Sequence, residues 1–101
     1  MKLILGERCS GKTSYLIEKS KMLGVPIVAP SSIMAQCIKQ EAEELGVDIP
    51  EPMSINKILN INRTRGGRIR CVIDELEAVL FEMGLDVEYA SADKNYEEIG
   101  V

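Results

Sequence analysis

Residues 6–13 read Gly6-Glu7-Arg8-Cys9-Ser10-Gly11-Lys12-Thr13, and no other stretch restricts this chain so much. They satisfy the pattern G-x-x-x-x-G-K-[ST] of a phosphate-binding loop without a mismatch. The pattern works when a strand ends in a glycine-rich turn whose backbone N–H groups point inward around a phosphate. The following helix then adds the positive end of its dipole. Gly6 and Gly11 are expected to take backbone angles that a side chain forbids. Lys12 is expected to reach the β- and γ-phosphates, and the Thr13 hydroxyl to ligate Mg²⁺, with Ser14 next along the same first turn.

The flanking residues supply the required context. Met1 to Leu5 is a short apolar run suited to a buried parallel strand. Lys12 to Leu23 reads as a helix closed by Gly24, its apolar residues being Tyr15, Leu16, Ile17, Met22 and Leu23. Val25 to Ala29 reads as a second strand, stopped by Pro30. Ser31 or Ser32 caps a second helix, whose expected inner face is Met34, Cys37, Ile38, Ala42 and Leu45, interrupted by Glu41. Val47 to Pro52 reads as a turn, and Ser54 caps a short helical piece through Leu59. Asn60 to Gly67 reads as a polar loop, and Arg68 to Asp74 as a third strand.

Leu76, Val79, Leu80 and Met83 form a helical stripe ended by Gly84. Leu85, Val87 and Tyr89 alternate with Asp86, Glu88 and Ala90, which predicts a last strand with one apolar face. Ser91 to Val101 reads as a tail, with a helical turn over 95–99. Strands alternating with helices imply a mainly parallel sheet of about four strands covered by helices: a three-layer α/β/α fold in one domain over 1–101.

Composition narrows the classes further. A chain of 101 residues, 46% of them hydrophobic, has material for one small aliphatic core. The formal net charge of −4 argues against a nucleic-acid coat or a polybasic membrane anchor. Cys9, Cys37 and Cys71 are odd in number and lack metal-ligand spacing, which suggests free thiols in a reducing compartment. Histidine is absent, so imidazole chemistry is unavailable. With no apolar run long enough for a signal peptide or span, the expectation is a cytoplasmic protein with no membrane partner.

Arg70-Cys71-Val72-Ile73-Asp74-Glu75 supplies a second element: an apolar strand ending in two carboxylates. Behind a phosphate-binding loop, Asp74 fits the acid that holds Mg²⁺ through its water shell, and Glu75 the base that polarises an attacking water. Acids also favour the first turn of a following helix, and that reading stands beside the functional one. Lys12 and Glu75 are therefore the candidate catalytic pair, with Thr13 and Asp74 on the metal. Small-molecule kinases often lack a glutamate directly after the aspartate, so Glu75 favours hydrolysis.

On these residues the chain resembles the core of a P-loop NTPase of the class with an additional strand and a catalytic glutamate. It is most similar to helicase and phage-terminase motor cores. There, strand two and its helix follow the loop helix, as Ile27-Val28-Ala29-Pro30-Ser31-Ser32 does here, and Asp74-Glu75-Leu76-Glu77 is similar to a D-E-x-x box. The resemblance covers about residues 1 to 91. It implies ATP (or GTP) as substrate, Mg²⁺ as cofactor, and a role related to nucleic acid. It also implies a fourth strand between the loop strand and the acidic strand, ending in a polar sensor for which Ser91 is the nearest candidate.

The chain has no room for a second lobe and no arginine clearly placed as a finger in cis, so a homo-oligomer or a protein partner is expected. Arg63, Arg65, Arg68 and Arg70 could grip a phosphate backbone, reach a neighbour, or form a solvated loop. Tyr89 and Tyr96 are assigned to core packing rather than base stacking. Two alternatives to an NTPase stand: a small-molecule or nucleoside kinase with Asn60 to Arg70 as its lid, and a non-hydrolysing nucleotide-binding regulatory module.

Overall fold

The computed structural model describes residues 1–6 and 11–92, and the backbone of 98–100. It is a small α/β domain. In chain order the elements are β1 (Leu3–Leu5), α1 (Lys12–Leu23), β2 (Ile27–Ala29), α2 (Ser32–Glu44), β3 (Met53–Ser54), α3 (Ile55–Arg65), β4 (Val72–Ile73), α4 (Leu76–Glu82) and β5 (Glu98–Gly100). Strands β3-β2-β4 form a parallel sheet in that order, and β1 pairs separately with β5, also parallel.

β2 is the centre because its three residues are apolar on both faces. Ile27, Val28 and Ala29 are each 1% exposed or less. Side chains alternate along a strand, so Ile27 and Ala29 pack with Leu16 and Ile17 of α1 and with Ala35, Ile38 and Ala42 of α2. Val28 points the other way, to Ile55 and Ile58 of α3 and Val79 of α4. Helices thus cover β2 from both sides, as a parallel strand with a continuous apolar run requires.

Local chemistry sets the helix ends. Gly24 ends α1 in the left-handed region at φ 66, and its N–H and that of Val25 both donate to the Ser20 carbonyl. The Ser20 side chain is buried and donates to the Val25 carbonyl at 2.6 Å, which fixes the turn into β2. Ser31 and Ser54 cap α2 and α3, each hydroxyl accepting from the backbone N–H three residues on at 3.2 Å.

Several expectations are corrected. No strand forms over 85–90. That segment is coil, with Leu85 50% and Tyr89 94% exposed, so Tyr89 is not a core residue. Asp86 and Glu88 would have to enter a covered sheet there, and desolvating them has no compensation. The sheet holds three strands rather than four, and the last strand lies further on, at β5, in what reads as tail; residues 95–97 and Tyr96 lie outside the described residues.

α3 continues through Arg65, so Asn60 to Arg65 is helix and not loop. The two-residue β3 follows the expected turn at 47–52 and is not among the expected strands. On α1, Ser20 is buried while Met22 and Leu23 are exposed; on α2 the inner face is Ala35, Ile38 and Ala42, with Met34, Cys37 and Leu45 outside. No helix among the described residues is long and apolar enough to cross a membrane.

Candidate functional site

β2 and β4 point their carboxyl ends the same way, and the chain turns there into α2 and α4. The carboxyl edge of a parallel sheet is where loops can converge on a ligand. The β2–β4 ladder runs one residue beyond β4, because the Asp74 N–H donates to the Val28 carbonyl at 2.9 Å. Asp74 is thereby held at the edge by the most buried strand of the fold. Its side chain is 7% exposed, and no hydrogen bond or ion pair engages it among the described residues.

Burial pushes the Asp74 carboxyl above the usual aspartate range. Glu75 and then Glu41 of α2 add to the rise, and Lys12 opposes it. A buried carboxylate flanked by two others is costly by itself and gains from a cation. Lys12 is close enough to be felt there, although it comes from the other end of the sequence.

Lys12 opens α1. Its Nζ donates to the Gly6 carbonyl at 2.6 Å, tying the residue after β1 to the start of α1. Gly11 precedes it in the left-handed region, φ 91 and ψ 13, as expected of that glycine. Thr13 is half-buried and Ser14 exposed in the first turn of α1. Glu7, Arg8, Cys9 and Ser10 lie outside the described residues.

Glu75 is the single non-glycine residue with positive φ among the described residues, at φ 60 and ψ 67. A residue before a helix normally caps it from an extended backbone. Glu75 makes no side-chain cap bond, and its carboxylate stays exposed. The left-handed turn costs an L-residue roughly 1–2 kcal/mol, and Glu75 lines an open cleft of about 440 Å³ with Lys12, Met34 and Ala78. Lys12, Asp74 and Glu75 are thus brought together.

Ser91 is not. It is exposed coil on the amino side of β5 and ends no described strand. The arginines lie elsewhere too, at the end of α3 and in the segment leading into β4. Sequence reasoning missed Met34 and Ala78 as cleft walls and Glu41 as a neighbour of Asp74; the one available signal was an acid interrupting the apolar face of α2. Cys37 and Cys71 are free and exposed.

Among the described residues no group of three or more His, Cys, Asp or Glu side chains could hold a metal unaided. Mg²⁺ does not ask for one: it typically takes one or two carboxylates and completes its shell with water and substrate phosphates. Asp74, buried, acidic and otherwise unengaged, suits that need. Comparison with protein-family models, curated proteins and solved structures finds no match to this chain.

Proposed function

We propose that this chain binds a nucleoside triphosphate, ATP or GTP, together with Mg²⁺ and hydrolyses its terminal phosphoanhydride bond. The observation that carries the reading is that Lys12 and Glu75 line one cleft and that both act electrostatically on the buried Asp74 carboxyl beside Glu75. A lysine at the first turn of the helix after a glycine turn, facing two carboxylates at a strand end, is an arrangement suited to phosphoryl transfer to water. The start of α1 and the Lys12 ammonium hold phosphate oxygens. Thr13 would ligate the metal, and Asp74 would hold it through its water shell. Bound Mg²⁺ neutralises charge on the β- and γ-oxygens. Glu75, exposed at the cleft, accepts the proton of the attacking water.

The same reading assigns the domain to P-loop NTPase-like folds of the additional-strand class. The pairing of β1 with β5 meets half of that class's pattern: a late strand lies beside the loop strand, but among the described residues it does not also pair with the acidic strand β4. A mobile arginine-rich lid over 60–70 would support a kinase instead, and Asn60 to Arg65 of that segment is helix. A nucleic-acid-related role is part of the proposal by resemblance alone.

The test is phosphate release from ATP and from GTP, with and without single-stranded DNA, together with nucleotide-induced thermal stabilisation. Wild type should be stabilised by Mg²⁺-nucleotide, and Lys12→Ala should lose most of that shift. Glu75→Gln should keep the shift and lose turnover, because an amide cannot take water's proton. Equal thermal shifts in wild type and Lys12→Ala would refute the assignment of the cleft.

A further inference from the structure

Charge is segregated along the chain just outside the cleft. Residues 63–70 carry four arginines and no acid, while residues 75–88 carry five acids and no lysine or arginine. Only a short connection through β4 separates them, yet among the described residues the two segments form no ion pair with each other. Arg65, Arg68 and Arg70 are exposed, and Arg63, at the same end of α3, reaches only Asn60 Oδ1 at 3.4 Å.

The acidic segment is also shaped. An open groove of about 350 Å³ runs along α4 and the coil after it, bounded by Glu75, Glu77, Glu82 and Asp86 and lined between them by Phe81 and Leu85. Phe81 is 65% and Leu85 50% exposed, so two large apolar side chains face solvent in a groove that four carboxylate residues also line. Arginine suits such a groove better than lysine. Its guanidinium can bridge carboxylates bidentately and stack on an aromatic face, while its methylenes cover apolar carbon.

We propose that the α4 groove receives the arginine-bearing end of α3 from a second copy of this chain. The contact is heterologous: the basic edge of one copy docks on the acidic groove of the next, so each copy offers both halves. Charge complementarity between two exposed surfaces of the same chain argues for self-docking. Single-stranded nucleic acid is the weaker occupant of the arginine edge, since no aromatic side chain lies near it in sequence for bases to stack on. The inference rests on charge and groove shape and is independent of whether the cleft takes a nucleotide.

The test uses the full chain and two variants at exposed positions, the edge variant Arg65→Ala/Arg68→Ala and the groove variant Glu77→Gln/Glu82→Gln. Sedimentation velocity at 50 mM salt should show wild type as species larger than the 11.2 kDa monomer, shifting to monomer at 0.5 M salt because the contact is ionic. Each variant alone should be monomeric, with an unchanged circular dichroism spectrum. An equimolar mixture of the two should form a species of twice the chain mass and nothing larger, because only one intact edge and one intact groove remain to meet. A wild type that stays monomeric at low salt, or association that survives in both variants, overturns the proposal. So does an edge variant that loses single-stranded DNA binding while still self-associating, which would assign the arginines to a phosphate backbone.

Discussion

Lys12, which lines the cleft, lies close enough to the buried Asp74 carboxyl to act on it, although sixty-two positions separate the two in sequence. The ammonium opposes the rise in the Asp74 pKa that burial and two neighbouring carboxylates cause. The lysine is positioned by a helix start, the aspartate by a backbone bond to the central strand. Neither depends on the other for its place. The backbone at Asp74 and the start of α1 are thus set by separate parts of the fold.

Asp74 should cost the empty protein stability at neutral pH. Its folded-state pKa is raised above the unfolded value, so the folded state holds the proton more tightly. The contribution is fully present below the ordinary aspartate pKa of about 3.9 and is lost as pH rises through the higher folded value. Asp74→Asn removes the charge. Chemical denaturation should show the variant gaining on wild type as pH is raised from about 4 to 7, while its Mg²⁺-dependent nucleotide binding weakens. A stability difference that is flat with pH would contradict the burial of this charge.

Glu75 tests the backbone rather than the charge. Glycine removes the left-handed penalty but adds unfolded-state entropy, so Glu75→Gly should leave stability equal or improve it by up to about 1 kcal/mol. Glu75→Val places a branched side chain where it rarely sits and should lose on the order of 1–2 kcal/mol. Both should abolish turnover. Urea midpoints in the order Gly, Glu, Val confirm the strained turn; a Val variant as stable as wild type rejects it.

The parts of the fold legible in sequence were those fixed by local chemistry. Lys12–Leu23 is bounded by two left-handed glycines, and the Ser31 and Ser54 caps are readable from their hydroxyls alone. Elements set by tertiary pairing were not legible. Alternation over 85–90 resembles a strand, but a strand needs a neighbour, and the acids at 86 and 88 cannot be covered. β5 has a partner in β1, with Ile4 opposite Ile99, which no local pattern announces. At the site, motif spacing singled out Lys12, Asp74 and Glu75, whereas Met34, Ala78 and Glu41 belong to it only through folding.

The core should be sensitive at β2 and tolerant at the misread strand. Ile27 is fully buried between α1 and α2, so Ile27→Ala should cost about 2–5 kcal/mol through lost transfer energy and a cavity. Tyr89→Ser, at a residue 94% exposed, should stay within about 0.5 kcal/mol. For a domain this small, the first change alone could remove most of the stability. Thermal melts of the two variants decide it, and a large loss in Tyr89→Ser would mean that the 85–90 segment pairs after all.

Gly11 separates space from backbone as the reason for a glycine. Among the described residues, a methyl group built there meets nothing within 4 Å, so none of them crowds a side chain out. The φ of 91 does disfavour one, because an L-residue pays roughly 1–2 kcal/mol in the left-handed region. Gly11→Ala should therefore lose about that much stability without a nucleotide. D-Alanine at the same position, introduced by chemical ligation, is at home at positive φ and should restore or exceed wild-type stability. Nucleotide binding adds a second arm: if backbone shape is all that matters, the D-alanine variant binds Mg²⁺-ATP as wild type does. If it is stable but fails to bind, a phosphate comes within van der Waals distance of the Gly11 Cα, and the glycine is required by the ligand as well as by the turn.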